Sequence, residues 1–267
     1  MPDAHLQEIA EVADRFEAEA GSHPDAEAAI VWKSASRTDV GRVRPINEDA
    51  FLDSQEQRLW VVADGLGGHS RGDYASSTVV EQLRAFPRQK SVLANLQDIE
   101  ARLQVAHEKC RTAFRKHRPG TTVATLLAHG NYCFMLWAGD SRVYRLRDGT
   151  LEQLTQDHSV AQERFARGEL TEEELASHHS AHVLTRAVGA SRALRLDMHY
   201  SPVQTGDRYL LCSDGLYNMV DPGKICALMS QGSAEDACGA LVELALQGGG
   251  RDNITVVIAD AKQPEHP

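Results

Sequence analysis

Apolar and polar positions fall into short blocks whose period changes along the chain. From Val31 onward, brief runs rich in Val, Leu, Trp and Tyr, with turn residues at their ends, predict strands. They run from Arg58 to Ala63, Thr121 to Ala128, Tyr132 to Ala138, Arg142 to Leu146, Arg208 to Cys212 and Ile254 to Ala259. Between them the spacing turns helical. One stripe is Ala75, Val79, Val80, Leu83 and Phe86, and another is Leu96, Ile99, Leu103, Ala106, Cys110 and Phe114. Ser233 with Asp236 forms a capping pair that opens a helix through Leu246, and Gly248, Gly249 and Gly250 stop it. The dipeptides Gly130-Asn131 and Asp148-Gly149 each join two apolar runs as hairpin turns, which favours antiparallel pairing. Helices inserted in blocks then cover sheet faces.

Two segments stand outside this pattern. In residues 1–33, Leu6, Ile9, Ala10, Ala13 and Phe16 recur at helical spacing before Gly21-Ser22-His23-Pro24 breaks it, so an amphipathic helix on a short tether is expected. Residues 155–186 are polar and carry His158, His178, His179 and His182 with the run Glu172, Glu173, Glu174. Thr171 with Glu174 reads as a capping box there, and so long a polar insertion between strands is expected to be a functional flap.

Composition narrows the class. The chain has 267 residues, 42% of them hydrophobic, enough for a sizeable core. A net charge of -10 disfavours nucleic acid and anionic lipid as partners. The five cysteines include no Cys-x-x-Cys pair, which argues against a disulfide framework or a cysteine zinc site, and they read as thiols of a reducing compartment. With no signal-like N-terminus and no apolar run approaching ~20 residues, a cytoplasmic protein is expected.

The candidate chemistry lies at the strand ends. One apolar run ends in Asp64-Gly65-Leu66, another in Asp214-Gly215-Leu216, and a third in Gly139-Asp140. Asp252 immediately precedes the run from Ile254, and Glu48-Asp49 precedes Ala50-Phe51-Leu52. A single Asp-Gly after a strand is an ordinary turn. In an antiparallel sheet, however, the end of one strand lies beside the start of its neighbour, so these acids gather on one rim. Crowded carboxylates need cations or shared protons, and oxygen-only ligands select hard ions such as Mn2+ or Mg2+. Gly65 lets its backbone approach an ion closely. Arg44, five residues before Asp49, is a candidate phosphate clamp.

These residues fall into motifs that resemble the metal-dependent protein phosphatases of the type 2C (PPM) family in its compact bacterial form. The resemblance covers about Ser34 to Asp260. It rests on Asp39-Val40-Gly41-Arg42-Val43-Arg44 with Asn47-Glu48-Asp49, on Asp64-Gly65-Leu66-Gly67-Gly68-His69, on Gly120-Thr121-Thr122 and on Gly139-Asp140-Ser141-Arg142. It continues through Thr155-Gln156-Asp157-His158-Ser159, Ser213-Asp214-Gly215-Leu216 and Arg251-Asp252-Asn253-Ile254-Thr255.

The resemblance implies an α+β fold, a four-layer α-β-β-α sandwich of two antiparallel sheets flanked by helices, over residues 34–262. It implies hydrolysis of phosphoserine and phosphothreonine in proteins by a metal-activated water, opposing a serine/threonine kinase in signalling, in a monomer. Asp64 would bridge two ions, Asp214 and Asp252 would hold the first, and the carbonyl of Gly65 would join the second. Asp49 would act through metal-bound water with Glu48 in support, and Arg44 would bind phosphate. Asp140 with Asp214 would offer a third ion a weaker site. Animal members carry a histidine directly after the first Asp-Gly as proton donor, and here that position is Leu66. His69, a flap histidine and a metal-bound water are the candidates for that role. Two other functions compete with a protein phosphatase: a phosphatase-fold binding module, which would usually lose a metal acid, and a small-molecule phosphatase.

Overall fold

In the computed structural model, which describes residues 11, 30–66, 71–114 and 118–264, two five-stranded antiparallel sheets stack face to face. The first sheet has the order β1-β10-β9-β6-β7, with β1 at Val31–Asp39, β6 at Arg142–Arg147, β7 at Thr150–Gln153, β9 at Arg208–Cys212 and β10 at Ile254–Lys262. The second has the order β2-β3-β4-β5-β8, with β2 at Asp49–Ser54, β3 at Leu59–Asp64, β4 at Val123–His129, β5 at Tyr132–Ala138 and β8 at Asp197–Pro202. Helices α1 (Gly72–Arg84) and α2 (Val92–Ala113) cover the second sheet. Helices α5 (Asp214–Tyr217), α6 (Pro222–Met229) and α7 (Ala234–Gln247) cover the first. The four layers match the expected architecture.

The layering explains why the central strands read as unbroken apolar runs. Along β3, Leu59, Val61 and Ala63 face the helices while Trp60 and Val62 face the opposite sheet. Along β5, Phe134, Leu136 and Ala138 face the helices, and Cys133, Met135 and Trp137 face inward. Both sides of each strand are buried, so the period of two survives in geometry but not in polarity. The two anticipated hairpins are present, since His129 pairs with Tyr132 across Gly130-Asn131 and Arg147 pairs with Thr150 across Asp148-Gly149. Both expected capping boxes also form, Ser233 with Asp236 on α7 and Thr171 with Glu174 on α4 (Glu172–Ser177).

One boundary shifts. β1 begins at Val31, ahead of Ser34, and pairs with β10 from Val31 opposite Lys262. Trp32 is only 3% exposed, its ring 5.1 Å from Trp60 and 5.9 Å from Tyr209, so the apparent tether ends inside the core. The amphipathic helix expected before it lies outside the described residues.

The flap leaves β7 and returns to β8. It carries α3 (Val160–Ala166) and α4, and its two ends are fastened together. Val160 N–H donates to the Val183 carbonyl at 2.9 Å, Thr185 N–H donates to the His158 carbonyl at 2.9 Å, and Ser159 bridges to Leu184. His158 ties this base to the sheet. Its Nδ1 accepts from Gly139 N–H at 3.1 Å, its Nε2 lies 3.1 Å from Asp197 Oδ2, and its ring stacks on Trp137.

Candidate active site

The strand register brings the acids together. Asp49 at the start of β2 pairs directly with Asp64 at the end of β3, so both side chains stand on the same face. Because Cys212 on β9 pairs with Val256 on β10, Asp214 and Asp252 come to the same edge. Val123 pairs with Ala138, which carries Gly139-Asp140 to that edge from β5. A cleft of about 720 Å³ opens there, lined among others by Arg44, Glu48, Asp64, Gly65, Asp140, Asp214 and Asp252. Seven of the residues singled out from sequence therefore line one cleft. Asp49 stands behind Asp64, and His69 lies outside the described residues.

Hydrogen bonds hold the acids in place. Asp64 N–H donates to Thr122 Oγ1 at 2.9 Å, and the Asp64 carbonyl accepts from Thr122 N–H at 2.8 Å and Thr121 Oγ1 at 2.8 Å. These bonds lock the backbone of Asp64 and leave its carboxylate turned to the cleft. Ser213 Oγ donates to Asp49 Oδ2 at 2.7 Å, while Asp49 Oδ1 is buried with no partner. Glu48 Oε1 accepts from Gly72 N–H at 2.9 Å, where an anion suits the N-terminus of α1. Asn253 ties the loop that carries Arg44 to the start of β10. Its Nδ2 donates to the carbonyls of Val40 and Ile46, each at 2.9 Å, and its Oδ1 accepts from Glu48 N–H at 2.8 Å.

Close backbone approach fixes two glycines. A Cβ on Gly65 would stand 2.5 Å from the Glu48 carbonyl oxygen and 2.5 Å from the Gly72 carbonyl carbon. One on Gly215 would stand 1.9 Å from the Asn253 carbonyl oxygen. Both Asp-Gly pairs are thus more than turn chemistry, since the glycine lets a neighbouring chain close over the aspartate.

The electrostatics are those of acids crowded without enough positive charge. Burial, then the charges of Asp49, Asp214, Asp140 and Asp252, pushes the Asp64 carboxyl far above the usual carboxylate range. Burial also lifts Asp49 to about 7 against the opposing pull of the Thr255 and Ser213 hydroxyls. Asp140, 6% exposed, rises to about 7 through burial and the charge of Asp214. Asp214 rises to about 6 through burial and Asp252, with His182, Arg44 and Arg142 pulling the other way. Arg44 Nη2 donates to Asp252 Oδ2 at 2.7 Å, and this bond raises the guanidinium pKa further.

This donor set fits divalent cations. It is almost wholly oxygen, it holds an orphaned buried carboxylate oxygen on Asp49, and its ionisation is costly until positive charge arrives. Glu48, Asp49, Asp64, Gly65, Asp214 and Asp252 are the residues that could hold cations along the rim. Asp140, Asp214 and His182 bring ligand atoms within 4.8 Å of one another at a further position. Of the flap histidines, His178 is engaged with Ser180 and Arg164, His179 lies against His178, and His182 lines the cleft. Sequence reasoning gives no role to Ser213, Thr122 or Asn253. Ser213 and Asn253 adjoin Asp214 and Asp252 in sequence, which was the available signal, whereas Thr122 meets Asp64 only through the pairing of distant strands.

Comparison with known proteins places the chain. The profile described as protein phosphatase 2C matches residues 42–239. The serine/threonine protein phosphatase PstP of Mycobacterium tuberculosis is 34% identical over 239 residues, covering 88% of this chain and 46% of its own. This chain thus spans about half the length of that relative. The serine/threonine phosphatase stp of Listeria welshimeri is 34% identical over 236 residues, 84% of this chain and 94% of its own. Among solved structures, PppA of Pseudomonas aeruginosa superposes with a TM-score of 0.79 at 39% identity, covering 87% of this chain and 99% of that one. The PstP catalytic domain in complex with two manganese ions superposes with a TM-score of 0.77 at 35% identity, covering 88% of this chain and 100% of that one.

Proposed function

The chain belongs to the protein phosphatase 2C family, and from that premise we propose that it hydrolyses phosphoserine and phosphothreonine in proteins with Mn2+ or Mg2+ at the carboxylate rim. The observation that carries this reading is the convergence of Asp49, Asp64, Asp214 and Asp252 at one sheet edge with Arg44 beside them. Two cations there would supply the charge that acidifies a water and offsets negative charge developing on the phosphoryl oxygens.

Each residue has a part in this reading. Asp64, at the centre of the rim, would help hold both ions, with Asp214 and Asp252 on the side of β9 and β10. The Gly65 carbonyl, Asp49 and Glu48 serve the other side. Arg44 binds the phosphate. Its contact with Asp252 is an ion pair with both side chains more than a third exposed, and such pairs contribute only ~0–1 kcal/mol. The guanidinium therefore exchanges that carboxylate for a phosphate at little cost, and its planar fork grips two oxygens at once. Asn253 holds the Arg44 loop against the rim, which fixes the phosphate relative to Asp64.

The same reading gives the outer position at Asp140 and Asp214 to a third ion and makes a serine/threonine kinase of the same cell the opposing activity. It places the protein in the cytoplasm as a monomer. No helix among the described residues is long and apolar enough to cross a membrane, and the five cysteines are unpaired, as suits a reducing compartment. Substrate class is tested by comparing phosphothreonine, phosphoserine and phosphotyrosine peptides of one sequence under Mn2+. The first two should turn over faster, and equal or better turnover of phosphotyrosine contradicts the reading.

A further inference from the structure

His182 stands in an unusual position for an exposed flap residue. Its ring nitrogen belongs to a triad with carboxylate oxygens of Asp140 and Asp214, all within 4.8 Å of one another. Ligands on an octahedral ion with bonds of ~2.1 Å stand roughly 3–4.2 Å apart, so closure of the flap toward the two carboxylates would seat an ion between them. The three residues come from separate parts of the fold: the end of β5, the start of α5 and the flap.

The flap presents His182 on a defined backbone. Val183 N–H donates to the Ser180 carbonyl at 3.1 Å, closing a turn around Ala181 and His182. The Val183 carbonyl in turn accepts from Val160 N–H, and Leu184 bridges to Ser159, so the turn is fastened to the flap base. On the other side, Asp140 is 6% exposed and accepts from its own backbone N–H, while Tyr217 OH donates to its carbonyl at 3.0 Å. Asn218 Nδ2 donates to Asp214 Oδ2 at 3.2 Å. Two carboxylates are therefore held in place, and the third ligand arrives on the flap.

We propose that His182 is a ligand of the outer ion, that this ion fastens the flap over the cleft, and that the imidazole makes the outer position prefer Mn2+ to Mg2+. This rests on the reading of the rim as a metal centre and adds a nitrogen ligand to it. Imidazole suits later metals such as Zn2+ and Ni2+ best, and of the two ions considered Mn2+ tolerates a nitrogen ligand better than Mg2+, which keeps oxygen and water, so selectivity at this position differs from that of the oxygen-only inner rim.

The test is metal binding in the full chain. Wild type, His182→Ala, His182→Asp and the neighbouring His179→Ala are titrated with Mn2+ and with Mg2+ by calorimetry. Wild type should show two tighter sites and one weaker site. Losing even an outer-shell partner of a metal costs ~10–100-fold in affinity, so His182→Ala should weaken the third site by at least that range and leave the tighter two unchanged. His179→Ala should leave all three unchanged. His182→Asp should restore the third site while losing its preference for Mn2+. Amide exchange over residues 180–184 should slow on Mn2+ addition in wild type and not in His182→Ala. Two tight sites with a third that is absent, or indifferent to His182, overturn this inference alone. A wild type that binds no ion overturns the reading beneath it as well.

Discussion

Metal and pH should act on stability through the same carboxylates. Burial and the Asp214 charge lift Asp140 from 3.8 to about 7, so ionising it costs ~4 kcal/mol more in the folded chain than in the unfolded one. The folded pKa is raised. The stability tied to the protonated form is therefore fully present below about 4 and lost as pH climbs through about 7. Asp49, also raised to about 7, and Asp214, raised to about 6, share the window, and their mutual repulsion makes the sum less than additive. In EDTA the melting temperature should fall between pH 5 and pH 8. Mn2+ should raise it strongly at pH 8 and little at pH 5. Asp140→Asn removes one of these ionisations, so in EDTA at pH 8 it should be more stable than wild type by up to ~4 kcal/mol, a rise on the order of 10 °C. Differential scanning fluorimetry across this range reads both effects. A flat or rising melting temperature in EDTA, or an Asp140→Asn variant no more stable at pH 8, refutes the reasoning.

Arg44→Lys should raise KM for a phosphothreonine peptide by about tenfold, because a point charge replaces a two-pronged grip, with little change in melting temperature. Initial-rate kinetics check it, and an unchanged KM removes Arg44 from the phosphate. Gly65→Ala forces a Cβ to within 2.5 Å of the Glu48 carbonyl and should lower Mn2+ affinity at least tenfold, measured by calorimetry. A truncated chain that starts at Ser34 loses Trp32 from between Trp60 and Tyr209 and should be ~3–5 kcal/mol less stable than one that starts at Ala28, by urea denaturation.

Much of this site was legible because the chemistry sits where the pattern changes. Asp64 ends β3, Asp214 follows β9 by two residues, and each precedes a glycine, so one strand boundary locates both the element and the ligand. The two-residue hairpins at Gly130-Asn131 and Asp148-Gly149 fixed antiparallel order in the same way. Other features depended on tertiary contacts. β8 is an edge strand, Asp-Met-His-Tyr-Ser-Pro, whose polarity and terminal proline hide it, and it is a strand because β5 pairs with it. The Ser34 boundary that the motifs suggest falls inside β1 because a lone Trp32 carries no periodicity, and its burial depends on aromatic rings far along the chain. Asn253 reads as an ordinary residue beside an aspartate. Its bonds to Val40, Ile46 and Glu48 join segments more than 200 residues apart, which no local window contains. His182 was one flap histidine among several until the flap turn set it against Asp140 and Asp214.

The central claim is that a rim of carboxylates centred on Asp64 binds the cations that phosphate hydrolysis requires. The most direct measurement is release of inorganic phosphate from a phosphothreonine peptide, by wild type and Asp64→Asn, in EDTA and across a Mn2+ titration. Wild type should be inactive in EDTA and recover fully with Mn2+. Asp64→Asn removes an anion facing both ions, which costs several kcal/mol and so at least about a hundredfold in rate, and excess Mn2+ should not restore it. Undiminished hydrolysis by exhaustively chelated wild type, or wild-type rates from Asp64→Asn, would contradict the account.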